Sequence, residues 1–258
     1  YSQRYKSADE FLKQCTEKKL VQHSFYLHNN TPDTIIDTFI KESIHSCSNT
    51  SIKIKSMIFI WKKFLQDIRV PSVIFHEVLV KKLKEIFEYN AETDSFIGIT
   101  SKHLPVVASF IKFWDENIIE DNNDLEFEID EISKLFKNRA EKNFSGIDND
   151  NFLIELIKHF YTYVSIDDNK YISNIKCLSW DKRQDVIDSL DLFKTHCSQG
   201  SNKDSDTSLY KAYEYYSSEC NFDVVVSKKY FEKVAKEHIG ELIDIHGIIS
   251  SIWLTNLN

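Results

Sequence analysis

The sequence predicts a mainly α-helical fold with short β-hairpins, an α+β chain in which one unit recurs three times. A helix, a second helix and a hairpin return at a spacing of about 77 residues: first helices begin near Lys53, Asp130 and Thr207, second helices near Val73, Asn151 and Lys228, and hairpins near Glu88, Val164 and Leu242. The 258 residues include only 5 glycines and 3 prolines, which disfavours phosphate-cradling loops, doubly wound sheets and turn-rich β-sandwiches. With 42% of residues hydrophobic, there is ample material for real cores.

Ser7-Ala8-Asp9-Glu10 is a capping box ahead of Phe11 and Leu12, so a short helix is expected to about Lys19, with Leu20 to Asn30 irregular or extended. Residues 1–30 thus form an N-terminal helical segment. Thr31 before Pro32 and Asp33 is a strong helix start, and Ile35, Ile36, Phe39, Ile40 and Ile44 make its apolar stripe. A helix over about Lys53 to Ile68 carries Met57, Ile60, Trp61, Phe64 and Leu65. Pro71-Ser72 interrupts it, and helical spacing resumes from Ile74 to Phe87. Glu88-Tyr89-Asn90 and Phe96 to Ile99 then flank a polar stretch and read as a hairpin. Three helices and a hairpin, over residues 31–100, are the order of a winged helix-turn-helix.

The order returns over 101–180. Ser101 caps a helix through Val106, Val107, Phe110, Phe113 and Trp114, and Leu125 to Ile129 alternates like a short strand. Ile132, Leu135 and Phe136 mark the second helix, and Phe152, Leu153, Leu156, Ile157 and Phe160 the third. Val164 to Ile166 and Tyr171 to Ile175, turned at Asp167–Lys170, make the clearest hairpin. Over 181–258 the helices are Asp181 to His196, one carrying Leu209, Tyr213 and Tyr216, and Lys228 to Ile239 capped by Ser227. Ser198 to Asp206 is a polar loop, and Leu242 to Ile245 with Ile248 to Ile252 form the last wing about His246-Gly247. The expected architecture is therefore a tandem array of three winged-helix-like units.

The net charge of -8 is uneven: Lys and Arg against Asp and Glu run five to three over 1–30, nine to nine over 31–100, nine to fifteen over 101–180 and nine to thirteen over 181–258. An acidic balance argues against a large sequence-independent phosphate footprint, while leaving room for one local basic face. Cys15, Cys47, Cys177, Cys197 and Cys220 are odd in number and form no CxxC pair, so reduced thiols in an intracellular compartment, cytoplasm or nucleus, are expected. No apolar run approaches the roughly 20 residues of a membrane span. A chain that opens at Tyr1 and has its only methionine at Met57 is expected to be part of a longer polypeptide or a processed product.

In a winged helix the third helix and the hairpin are the usual nucleic-acid contacts, because a helix fits the major groove and a wing reaches neighbouring phosphates. The candidates are Lys81, Lys82 and Lys84 on the first third-helix, and Lys228, Lys229, Lys233 and Lys236 on the last, against the bland reading of solvated helix lysines. Most aromatics sit in apolar stripes and read as core; Tyr215 falls off its stripe and is the expected exposed base-stacking residue. The nine carboxylates of Asp115 to Glu131 read as a solvated acidic surface, and no histidine has zinc-ligand spacing. No catalytic arrangement or phosphate loop stands in the sequence, so a non-catalytic role without cofactor or metal is expected. Partners would be nucleic acid, DNA before RNA, or protein subunits of a larger complex; the rival to nucleic-acid binding is a protein-interaction scaffold.

Leu209-Tyr210-Lys211-Ala212-Tyr213-Glu214-Tyr215-Tyr216 followed by Val226-Ser227-Lys228-Lys229-Tyr230-Phe231 resembles the C-terminal module of poxvirus-type primase-helicases of large DNA viruses, with a looser echo at Glu131 to Lys137 and Asn151 to Leu153. The resemblance covers about the last 50 residues and implies a module beyond a hexameric ATPase that helps engage DNA or a partner in replication. The ATP-binding loop is absent from this chain, so no ATPase residue carries over.

Overall fold

The computed structural model describes residues 7–122, 126–139, 150–199, 207–220 and 222–255. It is a mixed α and β structure, dominated by helices, with small antiparallel sheets. Its contacts fall into two units, Tyr1–Ser109 and Phe110–Asn258, so the expected 101–180 and 181–258 stretches share one unit apart from the first nine residues.

In the first unit, α1 (Ala8–Gln14) starts where Ser7 Oγ accepts the Glu10 N–H at 3.1 Å. The stretch expected to be irregular from Leu20 is instead helical, α2 (Lys18–Asn29). That helix has no side-chain cap and no buried residue, so neither start signal nor apolar stripe announced it. Thr31 caps α3 (Pro32–Ser43) through the Thr34 N–H, with Pro32 in the first turn. Strand β1 (His45–Lys53) follows; only Ile52 in it is buried, which is why it leaves no alternating pattern. Then come α4 (Ile54–Asp67), α5 (His76–Ile86), β2 (Tyr89–Asn90) and β3 (Ser95–Thr100). The sheet order is β1-β3-β2, all antiparallel, with a bulge in β1 between Ser46 and Ser51.

Trp61 holds this unit's core, edge-on to Phe39 at 5.1 Å and stacked on Phe64 at 5.7 Å, among Ile35, Ile36, Leu79, Leu83 and Phe96. Helix α4 stops in a Schellman turn: Arg69 is left-handed at φ 56, its N–H bonds the Gln66 carbonyl, and the Val70 N–H bonds the Leu65 carbonyl at 2.9 Å. Pro71 then forbids continuation, and the chain re-enters helix five residues later at His76.

The second unit's elements are α6 (Leu104–Asn117), which the unit boundary crosses, β4 (Ile118–Glu120), β5 (Phe127–Glu128), α7 (Ile129–Arg139), α8 (Asp150–Phe160), β6 (Ser165–Asp167), β7 (Tyr171–Ser173) and β8 (Ile175–Cys177). One sheet runs β5-β7-β6 and a second pairs β4 with β8. Asp168 and Asn169 both have positive φ, as a type I′ turn requires, and the Lys170 N–H closes the turn on the Asp167 carbonyl. The strand expected over Tyr171 to Ile175 breaks at left-handed Asn174, which frees β8 to pair with β4.

Next follow α9 (Lys182–Gln199), α10 (Leu209–Ser218) and α11 (Lys228–Ile239), capped respectively by Asp181, Ser208 and Ser227. Helix α9 enters the expected Ser198–Asp206 loop; residues 200–206 of that loop lie outside the described residues. After a 3-10 turn at Gly240–Leu242, where the last wing was expected, the described residues form two isolated antiparallel bridges, Ile243 with Ile249 and Ser208 with Ile248. The expected strand Ile248 to Ile252 is cut short because Ser251–Thr255 turns helical, α12, placing Trp253 in the core with Phe193, Tyr216 and Phe231.

The two halves of this unit meet at a buried ion pair. Lys182, at the start of α9, and Glu131, on α7, each have side chains 2% exposed. Glu131 occupies the third position of α7, and its Oε2 accepts the Glu128 N–H, as the glutamate of a capping box does. Lys182 Nζ donates to Glu131 Oε2 at 2.9 Å and to the Glu126 carbonyl at 2.7 Å, and sits 3.9 Å from the Tyr230 ring and 4.9 Å from that of Phe127. Burial pushes the Glu131 carboxyl up and the Lys182 ammonium down, and their mutual attraction opposes both shifts. Helices α7, α9 and α11 are thereby tied through one cation.

Lys182→Met alone leaves Glu131 buried and unpaired, and should cost about 3–5 kcal/mol in urea unfolding; Glu131→Leu with Lys182→Met should recover most of that loss. A single variant as stable as wild type would show that the pair does not bind the unit together. Alkaline unfolding gives a second check. Burial raises Tyr161, Tyr216 and Tyr230 above the ordinary 10.0, Tyr230 to about 12. The folded state therefore holds these protons more tightly than the unfolded chain, and stability is lost as pH rises past about 10. Lys182 has the opposite sign, but its contribution is complete above the ordinary lysine value of 10.5. Phenolate absorbance of these three tyrosines should consequently appear together with unfolding and not before it.

Candidate nucleic-acid interface

Helix α5 divides cleanly into two faces. Leu79 and Leu83, both 0% exposed, anchor it in the first unit's core, while Glu77, Val78, Lys81, Lys84 and Glu85 form the outer face. Lys84 Nζ lies 3.7 Å from the Tyr89 ring centroid, so the helix and its hairpin share one cation. Lys82 turns aside to Asp33 at 3.2 Å, and that carboxylate raises its pKa. The structure thus gathers Lys81 and Lys84 on one surface and spends Lys82 on a surface ion pair.

The sequence reading missed the apolar group at the start of this helix. Phe75 is 79% exposed, Val73 48% and Val78 49%. Phe75 stands at the N-cap, a position that polar side chains normally fill, and makes no side-chain cap. Its backbone is nevertheless fixed, because its carbonyl accepts the Val78 and Leu79 N–H groups at 3.0 and 3.2 Å. Periodicity gave no signal for it: Phe75, Leu79 and Leu83 stand at i, i+4 and i+8, and Phe75 is exposed because its extended N-cap backbone lies outside the helix that sets that spacing. Next to it, partial burial and then the charge of Lys62 lower the His76 pKa, which places a further cation beside this end of α5.

The second lysine cluster is differently placed. Lys229, Lys233 and Lys236 are exposed and share a face of α11 at i, i+4 and i+7. Lys228 lies 3.8 Å from Glu232 and 4.9 Å from the Tyr210 ring, and Glu237 is taken by Arg183. Tyr215 is not the exposed aromatic that its sequence position suggested: it packs half-buried against Phe193 at 5.6 Å and His196 at 5.0 Å, because α9 covers that side of α10. Tyr210, 55% exposed, is the open ring on that helix.

Charge separates the two units. Residues 1–109 hold 15 Lys and Arg against 12 Asp and Glu, a net of +3, whereas residues 110–258 hold 17 against 28, a net of -11. Three of the nine carboxylates of the acidic stretch have a lysine partner: Glu131 pairs with Lys182, Glu128 with Lys170 and Asp130 with Lys134. Among the described residues no group of three or more His, Cys, Asp or Glu side chains converges to hold a metal ion. No described helix is long and apolar enough to cross a membrane. No protein-family model, curated protein or solved structure matches the chain.

The exposure of the apolar group has a measurable consequence. Phe75→Ala and Val78→Ala should leave the urea midpoint within error of wild type, whereas Leu79→Ala on the same helix should cost about 2–5 kcal/mol. A large loss at Phe75 would mean that its ring is packed in solution.

Proposed function

We propose that the chain is a non-catalytic binding region built of three winged-helix-like units, over 31–100, 101–180 and 181–258, and that the first engages nucleic acid through α5 and the β2–β3 hairpin. The observation that carries the reading is topological. Helix, strand, helix, helix and hairpin with the sheet order β1-β3-β2 is the order expected of a winged helix, and the order β5-β7-β6 with α6, α7 and α8 supports the same reading for the second stretch. Around residue 208 and the wing at 243–249 the same order is reduced to single bridges. Lys81 and Lys84 stand where such a fold presents its recognition helix, in the unit whose charge is net positive.

The acidic remainder supports a second role in the same molecule. At a net of -11, residues 110–258 are better suited to protein subunits than to phosphate, and the Lys229, Lys233 and Lys236 face would contribute less to nucleic-acid binding than α5. The Leu209–Tyr216 and Val226–Phe231 likeness favours an accessory place beside the motor of a viral-type primase-helicase.

Fluorescence anisotropy with labelled single strand and duplex, over about 50–200 mM salt, tests the reading. Binding should weaken steeply with salt, and Lys81→Glu with Lys84→Glu should lower the log-log slope by about 2, while changes at Lys229, Lys233 and Lys236 should do less. Absence of binding to either probe at the lowest salt would leave the protein-scaffold role in its place.

A further inference from the structure

Resting on that nucleic-acid reading, we infer that the ligand of the α5 surface is single-stranded nucleic acid, with Phe75 as the platform on which an unpaired base stacks. A duplex reader needs side chains at the start of its recognition helix that pair with base edges, chiefly Arg, Lys, Asn or Gln. The first turn of α5 offers His76, Glu77 and Val78, preceded by Phe75 and Val73. Its partly buried histidine is held toward the neutral form, and Glu77 repels phosphate. None of this suits a closely approached double helix.

An unpaired strand makes different demands. Every base has an aromatic face, so a fixed, exposed ring binds without sequence preference, provided cations follow the backbone. Phe75 supplies such a ring, 79% open to solvent on a backbone held by two helical hydrogen bonds, and Val73 and Val78, two residues before it and three after, are also half open. Lys81 and Lys84 follow Phe75 by six and nine residues, about 1.7 and 2.5 helical turns, and the charge of Lys62 reaches His76. Glu77 and Glu85 punctuate the same face, which favours a strand crossing the helix start over one lying along its length. A ring left in water at the start of an otherwise well-anchored helix is a local departure from good folding practice, and such departures concentrate at binding sites.

The test uses the full chain with a fluorescein-labelled mixed-sequence single strand and the matching duplex at low salt. Wild type should bind the single strand more tightly; Phe75→Ala should weaken that binding about tenfold and duplex binding less than twofold, while Phe75→Trp should retain affinity and show indole quenching as bases stack. Circular dichroism of each variant checks the fold. If wild type binds nucleic acid but prefers duplex, or if Phe75→Ala leaves the single strand unaffected, the stacking inference is overturned and the broader reading stands. If wild type binds neither probe, both fall.

Discussion

One lysine in a closed aromatic and carboxylate setting decides how the second unit is put together. Taking Lys182 out of water is costly, and the structure offsets the cost with a carboxylate, a backbone carbonyl and the faces of Tyr230 and Phe127. Those groups come from β5 and the residue before it, from α7 and from α11, while Lys182 itself opens α9, so the site draws on elements from two of the expected stretches. A hydrophobic contact would tolerate sliding; an ion pair with directional donors fixes one arrangement. The same pair joins two expected stretches that fall in one unit, and Asn138 Nδ2 on the Asp223 carbonyl and Lys229 near the Tyr171 ring are further ties between them.

Much of the element order was legible because its signals are local. Ser7, Thr31-Pro32 and Ser227 cap helices as their chemistry dictates, and Asp168-Asn169 adopts the left-handed pair that an Asx-rich turn favours. What escaped depends on partners far away in sequence. Strand β1 is polar apart from Ile52 and exists because β3 offers it hydrogen bonds, including the Ile99 carbonyl that accepts from Thr50 Oγ1. Helix α2 has neither cap nor buried residue, and the separation of β8 from β7 turns on one left-handed asparagine. The buried pair was hidden too: Glu131 reads as one of nine carboxylates and Lys182 as a helix-start cation, and no spacing announces that they meet.

The candidate site was legible in part for the same reason. Lysine positions on α5 follow from helical periodicity, but which lysine is already engaged depends on Asp33, on another helix. The aromatic choice failed in the opposite sense: Tyr215 looked free on its own helix and is covered by α9, while Phe75 looked like one more apolar residue and stands in water. Exposure is a tertiary property, and periodicity ranks it only where one face of a helix is covered and nothing else comes near. The division of charge was already visible in the sequence, neutral to slightly basic up to residue 100 and acidic after it; the contacts set the dividing line after Ser109.

The bridged segment around residues 243–249 bears on how this polypeptide is made. The Ile249 N–H is held by the Thr207 carbonyl at 2.7 Å and the Leu209 N–H by the Gly247 carbonyl at 2.9 Å, with Gly247 in a left-handed conformation and Trp253 closing the core beyond. Helix α10 therefore waits for residues that emerge from the ribosome long after its own. The first unit, whose three strands all lie before residue 101, can settle while the second is still being translated, so a stalled or shortened product would display a finished first unit attached to an open, aromatic-rich tail.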